Sequence, residues 1–263
     1  MNILDTIISA KRVEVMMRKQ DRPSAVLEKT AGFRRPVFSL KSSLQDPERN
    51  GIIAEFKRRS PSKGIINNSA DVLAVTSAYS EYGAAALSVL TDEQFFGGTS
   101  ADLTVARVHE LPILRKDFII DEYQLVESKS MGADVILLIA ACLTVKEVYN
   151  LAKTATELGL EVLLELHGES EIEHINEFTP IVGINNRNLK TFSVDIERSL
   201  RMRSLLPAQT LKVAESGIDS LEKLIFFREN GFDGFLMGEF FMKANDPARA
   251  FRQFAESIKS APL

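Results

Sequence analysis

The chain has 263 residues, 45% of them hydrophobic and 26% charged, and a formal net charge of −4. That length supports one barrel or two small domains, and the composition is that of an ordinary globular protein. The acidic balance argues against a general nucleic-acid binder, and the single cysteine, Cys142, excludes an internal disulfide framework. No apolar run approaches the roughly 18 residues that a membrane helix needs. The segment Met1 to Val15 places Asp5 ahead of any basic residue and lacks an uninterrupted apolar stretch, unlike a secretory signal. The expectation is a cytoplasmic protein.

Residues 2–20 predict an amphipathic helix, with Ile3, Leu4, Ile7, Ile8, Val13, Val15 and Met16 on one stripe and Asn2 as its N-cap. Shorter helical pieces, divided by Gly32 and Pro36, fill residues 24–45. Residues 1–48 thus form an N-terminal helical extension to a single domain.

Short apolar runs then recur around Ile53, Leu87, Ile113, Ile136, Leu163, Val182, Val213 and Phe235, about 19 to 35 residues apart. This is the spacing of strand–helix units. Gly83, Gly132, Gly159 and Gly231 each close a helix just before a strand. Thr144 with Glu147, Asp121 with Gln124, Asp219 with Glu222, and Asp246 followed by Pro247 mark helix starts. Eight such units without a linker predict a (β/α)8 TIM barrel; a doubly wound open sheet rarely needs eight evenly spaced units.

Barrel active sites form at the C-terminal ends of the strands. The first strand ends in Glu55-Phe56-Lys57, the third in Arg115-Lys116-Asp117 and the fifth in Glu165, with His167 beyond it. The sixth ends in Asn185-Asn186-Arg187, the seventh runs into Glu215-Ser216-Gly217, and the eighth into Gly238-Glu239. Glu55 and Lys57, two residues apart, face the same side of their strand, as either a structural ion pair or working groups. Ser216, Gly217, Gly238 and Glu239 occupy the loops where barrels bind phosphate, and Ser60 reaches them from the first loop. Arg58, Arg59 and Lys63 read as a solvated basic loop, with Ser60 and Lys63 nearest a ligand. His109, His167 and His174 lack metal-ligand spacing and read as surface or supporting residues, and Cys142 as a packing residue. No HExxH, CxxC, Walker A or GxGxxG pattern is present.

The run Glu55-Phe56-Lys57-Arg58-Arg59-Ser60-Pro61-Ser62-Lys63-Gly64 resembles the signature of the indole-3-glycerol-phosphate synthase family. The resemblance continues through Leu90-Thr91-Asp92, Phe95-Phe96-Gly97-Gly98, Leu114 to Ile119, Leu164-Glu165-Leu166-His167, Gly183 to Leu189 and Ala214 to Ile218, and spans essentially the whole chain. Arg59, Asn188 and Glu239 depart from the usual pattern.

The resemblance implies a decarboxylating lyase of tryptophan biosynthesis. Its substrate is the small phosphorylated molecule 1-(2-carboxyphenylamino)-1-deoxyribulose 5-phosphate, and it uses neither metal nor organic cofactor. It assigns ketone protonation to Lys116, with Lys57 supporting the substrate carboxylate or a later acid step, and makes Glu165 and Glu55 the candidate bases. Asn185, Arg187 and Glu215 orient the substrate, and Phe96, Phe118, Leu137 and Leu189 line the aryl pocket. Burial and a second lysine are expected to lower the Lys116 pKa. The extension packs over the catalytic mouth or, equally on sequence grounds, over the barrel bottom. A monomer is expected. The rival readings are a Schiff-base aldolase using Lys116 as nucleophile and a catalytically silent phosphate-ligand binder.

Overall fold

Eight parallel strands close on themselves in the computed structural model, which describes residues 3–187 and 193–261. They are β1 (Ile52–Phe56), β2 (Ala86–Leu90), β3 (Ile113–Lys116), β4 (Val135–Ile139), β5 (Glu161–Leu166), β6 (Ile181–Asn185), β7 (Leu211–Glu215) and β8 (Gly234–Met237). Each pairs with its neighbours in sequence, and β8 closes the ring on β1 with Ile52 opposite Phe235 and Ala54 opposite Met237. The eight predicted runs are the eight strands.

Strand parity divides each strand between two layers. Ile52, Ala54, Leu87, Ile136, Leu164 and Ile184 face outward into the core shared with the surrounding helices. Ile53, Ala86, Leu114, Val135, Leu137, Leu163, Ile181, Val213 and Leu236 face inward and fill the barrel. Both faces are covered, so the strands are apolar almost throughout. One step further along the inward parity, the residues become Glu55, Ser88, Lys116, Glu165, Asn185, Glu215 and Gly238. The barrel interior therefore changes from aliphatic to charged at its C-terminal end.

Helix ends follow their local chemistry. Gly83, Gly132, Gly159 and Gly231 all have positive φ before a strand. Thr144 and Glu147 form a reciprocal capping box, Asp121 accepts from the amide of Tyr123, and Asp246 caps a helix with Pro247 in its first turn. Two boundaries differ from expectation. Ser220, rather than Asp219, caps the helix Leu221–Glu229, because its hydroxyl accepts from the Lys223 amide. Gly32 lies inside the short helix Ala31–Arg34 instead of dividing two pieces.

The extension does both jobs that the sequence left open. Its first helix, α1 (Ile3–Asp21), lies across the C-terminal mouth. Its buried line is Ile7, Lys11 and Val15, whereas Val13 and Met16 of the predicted stripe are exposed. The proposed N-cap, Asn2, lies outside the described residues. The later helix Leu40–Leu44 plugs the opposite end, with Leu40 and Leu44 in the inner core beside Ile53, Ala85 and Ala86. Ser39 Oγ donates to Glu161 at the start of β5 (2.6 Å), and Ser43 Oγ donates to the Ala85 carbonyl (2.5 Å).

Candidate active site

The charged layer opens into a cavity of about 470 Å³, a size that suits a small organic ligand. Lys116 sits at its centre. Its Nζ is 3.2 Å from Glu165 Oε2 and 3.9 Å from Glu215 Oε2. Asn185 Nδ2 donates to the other Glu165 oxygen at 2.9 Å, and His167 Nε2 lies 3.1 Å from that same oxygen. Across the mouth, Lys57 Nζ pairs with Glu55 Oε1 at 2.6 Å, and Ser88 Oγ is 3.5 Å from Glu55 Oε2. Two glycines make room for these carboxylates. A Cβ on Gly183 would overlap Glu215 Oε1, and one on Gly238 would lie 2.7 Å from the Cβ of Glu55.

Electrostatics separates the three glutamates. Burial pushes Glu165 up, but Lys116, His167 and the Asn185 hydrogen bond hold it well below the ordinary carboxylate range. Glu55 behaves similarly, with burial opposed and outweighed by Lys57 and then Lys116. Glu215 goes the other way: burial and the negative charge of Glu165 raise it well above the ordinary value, against the pull of Lys116. Two of the glutamates are thus shifted toward the carboxylate and the third toward its protonated form.

Lys116 corrects the expectation of a lowered pKa. Burial does push it down, but Glu165, Glu215 and Glu55 outweigh burial and raise it. The second lysine, Lys57, is engaged by Glu55. Lys116 is an ammonium throughout the neutral range.

One end of the cavity has the character of an anion site. Ser216 and Gly217 both have positive φ, 67° and 76°, after β7 and line the cavity there. Gly238 and Glu239, at the start of the helix Glu239–Met242, line the same end together with Ser60, Lys63 and Arg187. The Glu239 side chain is held by Arg187 at 3.2 Å and by Lys63 at 3.6 Å.

The other end is apolar. Phe96 and Phe118 stand with ring centroids 6.0 Å apart, beside Leu137, Leu90, Ile139 and, from α1, Ile3, Leu4 and Ile7. Leu189, the remaining aryl-pocket candidate, lies outside the described residues, as does Asn188.

Lys63 of the basic loop is exposed as expected, but its two arginines are engaged. Arg58 forms a two-pronged pair with Asp102 at 2.6 and 2.9 Å and lies over the Phe56 ring. Arg59 donates to the carbonyls of Glu93 and Gln94. Both arginines tie the first loop to the second. Cys142 packs against the core as expected, and burial raises its thiol.

Sequence pattern assigns no site role to Ile3, Leu4, Ile7 or Lys11, and reads His167 as a surface or supporting residue. Ile3, Leu4 and Ile7 line the cavity from the far N-terminus. Lys11 is almost wholly buried, 1% exposed, between Glu14 (2.8 Å), Asp92 (3.0 Å) and Asp117 (2.9 Å). His167 sits against Glu165; its position two residues after Glu165 on an inward-facing parity was the signal.

The sequence matches the family profile described as indole-3-glycerol phosphate synthase over residues 4–254. Curated relatives bearing that description include one from Bacteroides thetaiotaomicron, 47% identical over 98% of this chain and 99% of the relative. One from Acinetobacter baumannii is 42% identical over 95% of this chain and 94% of its own. A third, from Bordetella pertussis, is 41% identical over 94% and 96%. Among solved structures, the tryptophan synthase α subunit of Legionella pneumophila superposes with a TM-score of 0.62 at 14% identity, covering 84% of this chain and 97% of that one. Thiamine phosphate pyrophosphorylase from Pyrococcus furiosus gives 0.59 at 14% identity, covering 84% and 98%. At such identities these two structures establish the shared barrel alone.

Proposed function

The chain belongs to the indole-3-glycerol phosphate synthase family, and on that premise we propose how its residues divide the work. The family's reaction is a decarboxylating ring closure in tryptophan biosynthesis, acting on a small phosphorylated substrate. In it, 1-(2-carboxyphenylamino)-1-deoxyribulose 5-phosphate loses carbon dioxide and water to give indole-3-glycerol phosphate.

The substrate has three chemically distinct parts, and the cavity has three matching regions. Its phosphate belongs at the Ser216–Gly217 turn, with the Gly238 and Glu239 backbone, Ser60 and Arg187 around it. The Arg187–Glu239 pair argues that the Glu239 side chain orients this arginine instead of touching an anion itself. The aryl ring belongs against Phe96, Phe118 and Leu137. The reacting carbons then fall in the charged layer between them.

Ring closure needs the aryl carbon to attack the ketone, and negative charge then develops on the ketone oxygen. Lys116, a standing ammonium, donates to that oxygen. Preorganised donation of this kind is worth about 3–4 kcal/mol of barrier. Lys57 holds the substrate carboxylate until carbon dioxide leaves. Dehydration then requires removal of a proton while the hydroxyl departs as water. Glu165, kept ionised beside Lys116, is the base, and Lys116 serves the departing hydroxyl. Glu215, shifted toward its protonated form by burial and the charge of Glu165, hydrogen-bonds the substrate, and Asn185 orients Glu165. Glu55 keeps Lys57 charged and aimed. Over this chemistry α1 excludes water, since Ile3, Leu4 and Ile7 are part of the cavity wall.

The observation that carries this reading is Lys116 lying 3.2 Å from Glu165 and 3.9 Å from Glu215. It also weighs against a Schiff-base aldolase, because a lysine nucleophile needs a free amine and three glutamates oppose its formation. The lone cysteine supports a cytoplasmic setting. Purified protein should convert the carboxyphenylamino substrate with the appearance of indole fluorescence. It should form no borohydride-trapped adduct at Lys116. No turnover, or a trapped adduct, sinks the assignment.

A further inference from the structure

Ser216 is the only non-glycine residue with positive φ among the described residues, at 67°. A side chain is unfavourable there because its Cβ crowds the neighbouring carbonyl, so the conformation persists only where the surroundings impose it. Asn186 is the imposing group. Strand alternation turns Asn185, at the end of β6, inward to Glu165 and the next side chain the other way. Asn186 is accordingly wholly buried on the outer side, against the helix Ile196–Leu205 that carries Ser199.

Every polar group of Asn186 is engaged. Its backbone amide donates to the Glu215 carbonyl at 2.8 Å, and its own carbonyl accepts from the Asp195 amide at 3.0 Å. The side-chain oxygen accepts from Ser199 Oγ, which sets the way the amide group faces. Nδ2 then donates to the carbonyls of Glu215 at 3.0 Å and Ser216 at 2.8 Å. An amide nitrogen carries two protons, so one side chain serves both carbonyls. Those carbonyls belong to the two peptide planes that meet at the Ser216 Cα. Each plane is rigid, so holding both fixes φ and ψ of Ser216 together.

We propose that Asn186 is a positioning residue for anion binding: it clamps Ser216 at positive φ and so shapes the Ser216–Gly217 turn for the substrate phosphate. The proposal rests on the phosphate lying at that turn. Asn185, Arg187, Ser216 and Gly217 line the cavity, whereas Asn186 stands behind them and acts through the backbone. The clamp is required because position 216 is serine; glycine adopts positive φ unaided.

The test is a double-mutant cycle on the Kd for inorganic phosphate, using Asn186→Ala, Ser216→Gly and the double variant. Asn186→Ala should raise the Kd by about tenfold when residue 216 is serine. The same substitution should cost at least about threefold less beside Ser216→Gly, since glycine holds the turn without the clamp. A packing role alone gives equal penalties in both backgrounds. Equal penalties, or an unchanged Kd in Asn186→Ala, overturn the proposal. Ser199→Ala removes only one hydroxyl and carries the same cycle if Asn186→Ala does not fold. Its penalty, about threefold, should vanish beside Ser216→Gly; a penalty that persists there, or none at all, overturns the proposal. Gly217→Ala separates the clamp from the anion site. A Kd that responds to Gly217→Ala but not to Asn186→Ala keeps the anion site and removes the clamp. A Kd that responds to neither removes the anion site and the proposal with it.

Discussion

Lys11 of the N-terminal helix lies 2.9 Å from Asp117, the residue that directly follows Lys116. Asp117 is also bound by Arg115 at 2.9 Å and by the Thr91 hydroxyl at 2.6 Å, and Arg115 is bound in turn by Glu127 at 2.8 Å. The helix over the mouth and the strand carrying Lys116 therefore share one buried ionic knot. Lys11→Met should cost about 3–5 kcal/mol, because it leaves Asp92 buried without this cation and Asp117 with Arg115 alone. Urea unfolding measures that loss, and limited proteolysis should cut α1 faster while the barrel persists. A variant as stable as the wild type would mean that the knot contributes nothing.

The same knot sets an acid limit. Burial pushes Asp117 up, but Arg115, then Lys11 and the Thr91 hydroxyl, depress its pKa strongly. A depressed folded pKa means stability that is fully present above the unfolded carboxyl value near 4 and lost as pH falls through the folded one. Stability should hold down to about pH 4 and decline below it, and the decline should be shallower in Lys11→Met. Denaturant midpoints measured from pH 6 down to pH 2 check this.

Lys116→Ala and Glu165→Gln should each lower kcat by at least about 100-fold, the range expected for a positioned acid or base. Circular dichroism should show an intact barrel in both. Turnover within a few-fold of the wild type in either would remove that residue from the chemistry.

Gly183→Ala adds one methyl group where Glu215 Oε1 now lies. The carboxyl group must swing away, and displacements of about 1 Å at such a site cost on the order of 100-fold in rate. We expect a large fall in kcat with a modest change in Tm. An unaffected rate would show that the Glu215 carboxyl need not be where it stands.

Gly217→Ala addresses the anion end. At φ 76° the new side chain is strained, and its Cβ would come 2.5 Å from Val194 Cγ1. The turn should distort, so KM and the Kd for inorganic phosphate should both rise by about tenfold or more, while kcat falls less. Unchanged phosphate affinity would place the anion elsewhere.

Much of this was readable from local pattern. Apolar runs such as Ile52–Ala54 and Val162–Leu164 repeat at unit spacing, and positive-φ glycines punctuate them, so eight strands and their closure were legible. Strand ends are local too, which is why Lys116, Glu165, Asn185 and Glu215 could be named from their positions in the runs. Asp219 was mistaken for a cap because Ser220 beside it offers an equally suitable oxygen, and the choice depends on where the chain turns.

The sequence by itself determined the layer in which the candidate catalytic groups sit, since parity along each strand is fixed by backbone geometry. Tertiary structure alone decided their charges. Lys116 reads as a lysine that burial would deprotonate, yet three glutamates brought from β1, β5 and β7 keep it an ammonium. Three chemically identical side chains, Glu55, Glu165 and Glu215, shift in opposite directions: neighbouring cations lower the first two, while burial and the charge of Glu165 raise the third. Lys11 belongs to α1, but its partners Asp92 and Asp117 lie far along the chain. Coulomb interactions depend on distance through space, and no spacing along the chain encodes that.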